Sequence, residues 1–270
     1  MRWPASILVP LLRQDDRYLE QAIRSACDQT VPCEVIVTRA AETPASNLAV
    51  LDRLAARYPQ LVVIEVGLGL ACGLNDAIRA ARGDRVGFLM SDDWLEPGTL
   101  AACLPVDADI VSTGITAYLA DGSTELTAAH CSPSYEGFAA QQGFAAQASY
   151  LKHFLLLRRS RVLEAGGLDE SLDAAAGCGV DDFDLIWTLL ERGATVGIVP
   201  DRLYNYRDHP GERLTLQARS RSLAALREIL DKHGLTGRER LRTLIAHGFW
   251  QGKTLEEGFR QLRDRDNGRA

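Results

Sequence analysis

The chain has 270 residues, 46% of them hydrophobic and 24% charged, with a formal net charge of −6. That apolar content excludes a disordered chain, and the acidic balance argues against a general nucleic-acid binder. The charge is uneven: from Glu212 onward 13 basic residues stand against 8 acidic ones, so the tail is positive and the rest strongly acidic.

Ala5–Pro10 is a short apolar run ending in proline, the pattern of a buried strand. In Asp15–Asp28, Leu19, Ala22, Ile23 and Ala26 recur at helical spacing, with Asp15 or Asp16 as N-cap. Glu34–Thr38 reads as a second strand, Ser46–Tyr58 as a second helix and Leu61–Val66 as a third strand. A third helix is expected over Leu70–Arg82, capped by Gly83. Arg85–Met90 is a fourth strand that runs into Ser91-Asp92-Asp93-Trp94. Four strand–helix alternations within about ninety residues imply a parallel sheet with right-handed crossovers and helices on both faces. Ligands in such sheets bind beyond the carboxyl ends of the strands, where Ser91–Asp93 fall.

The pattern then changes. Asp109–Tyr118 reads as extended chain and Asp121-Gly122-Ser123 as a turn. Gly137-Phe138-Ala139-Ala140-Gln141 recurs as Gly143-Phe144-Ala145-Ala146-Gln147. With no third copy this is not a solenoid, and the 131–150 segment reads as a helix or a mobile flap. Phe154–Leu157 is a strand, followed by a helix to Ala165. Asp181–Arg192 is a helix opened by acids, which suits its positive N-terminus. Val196–Val199 and Arg202–Tyr206 read as two short strands. From Leu214 the pattern is helical, with breaks at Gly234 and Gly248.

Several classes of protein drop out. The six cysteines (Cys27, Cys33, Cys72, Cys103, Cys131 and Cys178) are scattered singly, which fits a reducing compartment and offers no zinc cluster. The N-terminus is a poor signal peptide, and no run approaches the ~20 apolar residues of a membrane span. A cytoplasmic protein is expected, at most peripheral at the inner face of the membrane. No GxGxxG, Walker A loop, GxSxG or HExxH occurs, against NAD binding, P-loop hydrolysis, α/β-hydrolase chemistry and zinc proteolysis.

Three places could carry chemistry. Asp92-Asp93 at a strand's carboxyl end would place hard oxygens in the crevice, suited to Mg²⁺ or Mn²⁺ shared with a diphosphate, or would merely cap a turn. Asp181-Asp182, with Asp184 close by, would supply a general base or a helix cap. In Tyr206-Arg207-Asp208-His209, the Arg could contact phosphate and the His could complete a metal site. His130, His153, His233 and His247 have no identifiable partner.

In this order and spacing the segments resemble a family 2 glycosyltransferase with the GT-A fold. The stretches that carry the resemblance are Ser6–Pro10, Leu19–Ser25, Glu34–Val37, Gly69–Ala71 with Asn75, Phe88–Leu95, Gly166–Glu170, Asp181–Leu185, and Leu203–Arg207 with His209. The resemblance implies an α/β fold with a mostly parallel central sheet. Residues 1–212 would form the catalytic domain, with a donor-binding half (1–95) and an acceptor half (96–212), and 213–270 a helical extension. It implies transfer of a sugar from a nucleotide-diphosphate donor to an acceptor hydroxyl, saccharide or lipid-linked glycan, with inversion. Asp92, Asp93 and His209 would hold a divalent metal, Mn²⁺ or Mg²⁺. Pro10, Asn75, Ser91, Asp92 and Arg207 would line the donor site. Asp182 would be the general base, with Asp181 in the preceding acidic position. No nucleic-acid partner is expected, and the basic C-terminal helices could touch a membrane.

Two positions depart from the family pattern. Met90 replaces the first acid of Asp-x-Asp-Asp, and a thioether cannot stand in for a carboxylate on ribose or a hard metal. Arg39 lies where an acid often reads the nucleotide base, and a guanidinium cannot accept a hydrogen bond. An active glycosyltransferase, a degenerate GT-A binding module and a nucleotidyltransferase are therefore the competing readings. The last is opposed by the glycine-free Leu11–Asp16 loop.

Overall fold

A computed structural model describes residues 3–67, 69–119, 123–127, 135–140, 142–151, 153–172, 180–209, 219–250 and 253–266. Strands β1 (Trp3–Leu11), β2 (Glu34–Arg39), β3 (Leu61–Glu65) and β4 (Gly83–Phe88) pair in parallel in the order β3-β2-β1-β4. Helices α1 (Asp16–Cys27), α2 (Ala45–Arg57) and α3 (Leu70–Ala80) make the crossovers. The α1 cap is Asp15, whose carboxylate accepts from the Arg17 N–H at 2.9 Å. Side chains alternate along each strand: Ile7, Val9, Val35 and Val37 pack under α1 and α2, while Leu8, Ile36, Val86 and Phe88 pack under α3.

After β4 the chain forms β5 (Trp94–Leu95), α4 (Thr99–Cys103), β6 (Ile110–Tyr118), β7 (Thr124–Thr127), β8 (Leu155–Arg158) and β9 (Val196–Arg207). The sheet continues β4-β8-β6-β9-β5, with β7 beside β6. Here only β6 and β9 are parallel; the β4/β8, β6/β8, β6/β7 and β5/β9 pairs are antiparallel. Helices α5 (Tyr135–Ala139), α6 (Phe144–Tyr150), α7 (Arg159–Ala165) and α8 (Asp181–Glu191) connect them. Three helices end the chain: α9 (Arg219–Lys232), α10 (Gly237–Trp250) and α11 (Leu255–Asp266).

Four local expectations change. Gly83 is not a helix cap: α3 ends at Ala80, and Gly83 starts β4 so close to Ala5 and Ser6 that a Cβ would collide with their backbone. The two strands expected over 196–206 are one, β9, whose register on β6 slips around Gly114. The slip absorbs Pro200, which has no N–H for a ladder. The tail breaks at Gly234 (φ 64°) as expected, but Gly248 is buried within α10, where a lone glycine is tolerated. The repeat forms short helices rather than one, with Ala145 and Ala148 in the core and Phe138 against Tyr150. Gln141 and residues 131–134, like Asp121, Gly122 and the 212/213 boundary, lie outside the described residues.

The first of the tail helices is no appendage. Ala225, Leu226, Ile229 and Leu230 of α9 are 0–1% exposed and share a core with α3, α7 and α8. Among the described residues, no helix is long and apolar enough to cross a membrane. Cys27, Cys33 and Cys103 are buried and their thiols are pushed up to about 12 by that burial, which makes them poor nucleophiles.

Candidate active site

The chain leaves β4 at the carboxyl edge of the parallel half and turns sharply at Met90–Asp93, closed by the Asp93 N–H to the Met90 carbonyl at 3.1 Å. The two acids of this turn part company. Asp93 points into the sheet and is 2% exposed. Its carboxylate accepts from the Tyr204 hydroxyl at 2.6 Å and from the Arg207 N–H at 2.8 Å. Burial, with the Asp93 carboxylate second, pushes the Tyr204 phenol well above its ordinary range, so it stays a donor. Asp92 faces the crevice, and its Oδ2 lies 3.0 Å from His209 Nε2. Two equal metal acids were expected; one is committed to holding β9 and the other meets the histidine.

Arg207 locks this turn. Its guanidinium lies over Tyr18 (4.0 Å) and Trp94 (4.7 Å), donates to the Asp92 carbonyl at 3.0 Å and to Gln21 at 2.7 Å. Tyr18 also meets the His209 ring at 5.5 Å. A groove of about 560 Å³ between α1 and the β5 turn has Gln21 and Trp94 on its wall. Pro10, half-buried near the end of β1, pairs with Thr38 in the ladder, and Ser91 is 3.5 Å from the Gln14 amide. Met90 is partly buried against the core, and its N–H donates to the Tyr204 oxygen at 3.3 Å. Arg39 pairs with Glu65 across β2 and β3 at 2.7 Å.

Asn75 is placed differently from the donor-site expectation. Its amide nitrogen donates to the Leu168 carbonyl at 2.9 Å and to Glu170 at 2.8 Å, and its oxygen accepts from the Leu168 N–H at 2.9 Å. It clamps α3 to the loop after α7. That loop turns on Gly166 (φ 96°), with the Gly167 N–H reaching back to the Val162 carbonyl at 3.0 Å. The Gly166–Glu170 run thus packs against α3 through Asn75.

On α8, one acid of three is open. Asp181 is 2% exposed and Asp184 1%. The Asp182 side chain is 41% exposed, its Oδ2 3.3 Å from His153 Nε2. Its Oδ1 accepts from the Phe183 N–H at 2.8 Å. Asp184 instead accepts from Lys232 at 2.8 Å and contacts His233 at 3.0 Å, tying α8 to α9. His233 also contacts Glu191 at 2.9 Å and stacks on Trp187 at 4.2 Å.

Three histidines without an expected partner thus have one. His153 meets Asp182, His233 meets Asp184 and Glu191, and His247 lies 2.9 Å from the Ser149 hydroxyl. His130 lies outside the described residues. The His153 ring lies 5.2 Å from Tyr204, the donor to Asp93. A continuous path therefore runs from Asp182 through His153 and Tyr204 to Asp93 and its neighbour Asp92. Chemically, the described residues offer two acid–imidazole pairs, Asp92–His209 and Asp182–His153. Among the described residues no third His, Cys, Asp or Glu joins either pair as a metal cluster.

The parallel donor-type half, the mixed second half and acids beyond the strand ends define an α/β protein of the GT-A class. Residues 6–134 match the family described as Glycosyl transferase family 2. It is 27% identical over 207 residues to the O-antigen biosynthesis protein RfbC of Myxococcus xanthus, covering 75% of this chain and 16% of that one. It is 33% identical over 89 residues to a chondroitin synthase of Pasteurella multocida, 32% of this chain and 9% of that one. The chain thus spans a small part of the curated relatives it matches. Among solved structures, S. aureus TarS 1–349 in complex with UDP-GlcNAc aligns with a TM-score of 0.66 at 17% identity, over 90% of this chain and 69% of that one. The mannosyltransferase PcManGT of Pyrobaculum calidifontis, with GDP-Man and Mn²⁺, aligns at 0.61 and 19% identity, over 93% and 70%.

Proposed function

We propose that the protein transfers a sugar from a nucleotide-diphosphate donor to an acceptor hydroxyl, with inversion at the anomeric carbon. The observation that carries this reading is the pair of acid–imidazole contacts, Asp92–His209 and Asp182–His153, with Tyr204 between His153 and Asp93, the neighbour of Asp92. The solved relatives with UDP-GlcNAc and GDP-Man support a nucleotide-sugar donor. Those named for O-antigen and chondroitin synthesis support a saccharide acceptor, free or lipid-linked.

Residues 1–95 are the donor half in this reading and residues 96–212 the acceptor half. Asp92 and His209 would hold a divalent cation; a carboxylate and an imidazole suit Mn²⁺, and the mannosyltransferase relative contains Mn²⁺. The protein offers two donors there, which leaves coordination positions for diphosphate oxygens and water. Such a cation neutralises the diphosphate leaving group. Asp93 orients the turn rather than binding the cation, and Arg207 holds the Asp92 carbonyl in place while adding positive charge. Pro10 and Ser91 border the donor.

Asp182 takes the proton of the acceptor hydroxyl as the new bond forms. That hydroxyl is not acidic enough to ionise unaided, so a carboxylate within hydrogen-bond reach is required. Asp181 and Asp184 are buried and hold the helix instead. His153 keeps the Asp182 carboxylate facing the crevice.

Calorimetry of a panel of nucleoside diphosphates with and without Mn²⁺ tests the reading. Mn²⁺-dependent binding by the wild-type protein, lost in Asp92→Asn/His209→Ala, is the expected result. Binding by no nucleotide, with or without metal, would favour the degenerate module that Met90 and Arg39 suggest.

A further inference from the structure

The outer face of α10 takes no part in this function. Leu241 is 59% and Ile245 63% exposed, one helical turn apart. Arg238 and Arg242, both exposed, sit on the same face by helical spacing, and Phe249 continues it by one more turn. Lys253 lies over the Phe249 ring at 4.2 Å. Two large aliphatic side chains in water, set among three cations, form an amphipathic face that nothing among the described residues covers. The rest of the molecule is acidic, so this cationic face is local rather than a share of a general positive charge.

We infer that this face docks on an anionic lipid surface. The occupant follows from charge complementarity. Leu241 and Ile245 enter the boundary between headgroups and acyl chains, while Arg238, Arg242 and Lys253 pair with anionic headgroups. Each cation near such a surface raises affinity by roughly fivefold at low salt. A second copy of the chain would bring the same cations face to face, which opposes association.

The inner face of α10 explains what docking would achieve. His247 touches Ser149 of α6, and its ring is 4.5 Å from Phe183, the residue after Asp182. The general-base end of α8 thus stands about one helix diameter, ~10 Å, behind the docking face. This places the acceptor side of the crevice near the headgroups, and it selects a lipid-linked acceptor over a free saccharide. That last step rests on the glycosyltransferase reading; the docking does not.

The test is flotation of the full chain with vesicles of phosphatidylcholine containing about one third phosphatidylglycerol, against phosphatidylcholine alone. The protein should float with the anionic vesicles at low salt and be released at roughly 0.5 M salt. Leu241→Glu/Ile245→Glu and Arg238→Glu/Arg242→Glu should each lower the bound fraction at least about tenfold, with thermal melts and nucleotide binding unchanged. Failure of the wild-type protein to float, or variants that float equally well, overturns the inference. So does a dimer that Leu241→Glu/Ile245→Glu dissolves while neither protein binds vesicles. Since flotation needs no donor or acceptor, a failed transfer assay would count against the function and leave this result standing.

Discussion

The two halves of the sheet are built on different principles. In residues 3–88 the strands pair in parallel, β1 with β2 and β2 with β3 across single helical crossovers and β4 with β1, and Met90–Asp93 lies just beyond the end of β4. In the second half the strands are mostly antiparallel, and the contacts that matter are distant. Tyr204 reaches Asp93 across 111 residues and His209 reaches Asp92 across 117. The first half supplies Asp92 and Asp93, and the second half supplies Asp182 and the groups that aim the first two. The proposed site lies on this seam, so damage to either half should appear as different symptoms at one site.

The sharpest contrast is between the acids of α8. Asp182→Asn should cut transfer by roughly 10²–10⁴-fold while nucleotide affinity stays nearly unchanged. Asp184→Asn should instead lower stability, because Lys232 and His233 lose a buried partner. Steady-state kinetics beside calorimetry and thermal melts separates the two. Equal kinetic effects from both variants would erase the distinction between base and brace.

A change in α9 tests whether the tail belongs to the catalytic half. Ile229 is fully buried in the core shared with α8. Ile229→Ala should cost about 2–5 kcal/mol in urea unfolding, as for any large-to-small core change. A cost under about 0.5 kcal/mol would mean that the tail packs loosely on its own. Across the seam, Tyr204→Phe leaves one oxygen of the buried Asp93 without its hydroxyl donor. A loss of about 1.5–3 kcal/mol is expected, with weaker Mn²⁺-dependent nucleotide binding as the Asp92 turn loosens. Stability lost with binding intact would confine Tyr204 to the fold.

What the sequence made legible follows the same division. Helical spacing at Leu19, Ala22, Ile23 and Ala26, and apolar runs such as Ala5–Pro10, are local signals, and they placed the parallel half within a few residues. The acidic turn was legible because a strand's carboxyl end is a rule of the fold class. The split between Asp92 and Asp93 was not, since Tyr204 and Arg207 select it from more than a hundred residues away. His153, 29 positions before Asp182, had no local mark either. The continuous β9 was hidden by Pro200, which reads as a break until a bulge absorbs it.

The smallest expected effect lies in the clamp between α9 and the loop after α7. Burial opposes both charges there, but the pair outweighs it. Lys232, between Asp169 and Asp184, is raised above its ordinary value, and Asp169, with Lys232 and Ser171, is held below its own. The signs then fix the pH window. A depressed Asp169 stabilises the fold above the unfolded carboxylate value of about 3.9, and this is lost as pH falls through the lower folded value. A raised Lys232 stabilises it below about 10.4, and this is lost as pH rises through the higher folded value. The 2.8 Å Lys232–Asp169 bridge is partly open to water, with side chains 39% and 27% exposed. Solvent screening therefore limits its worth to about 1 kcal/mol or less. Asp169→Asn should be slightly less stable than wild type between roughly pH 5 and 9, and the two should converge as pH falls through the lowered folded value and the wild-type carboxylate takes up its proton. Urea melts at several pH values, compared between the two proteins, check this. A difference that persists unchanged at the acid end of the series would mean that Asp169 acts through its bonds to Ser171 rather than through its charge.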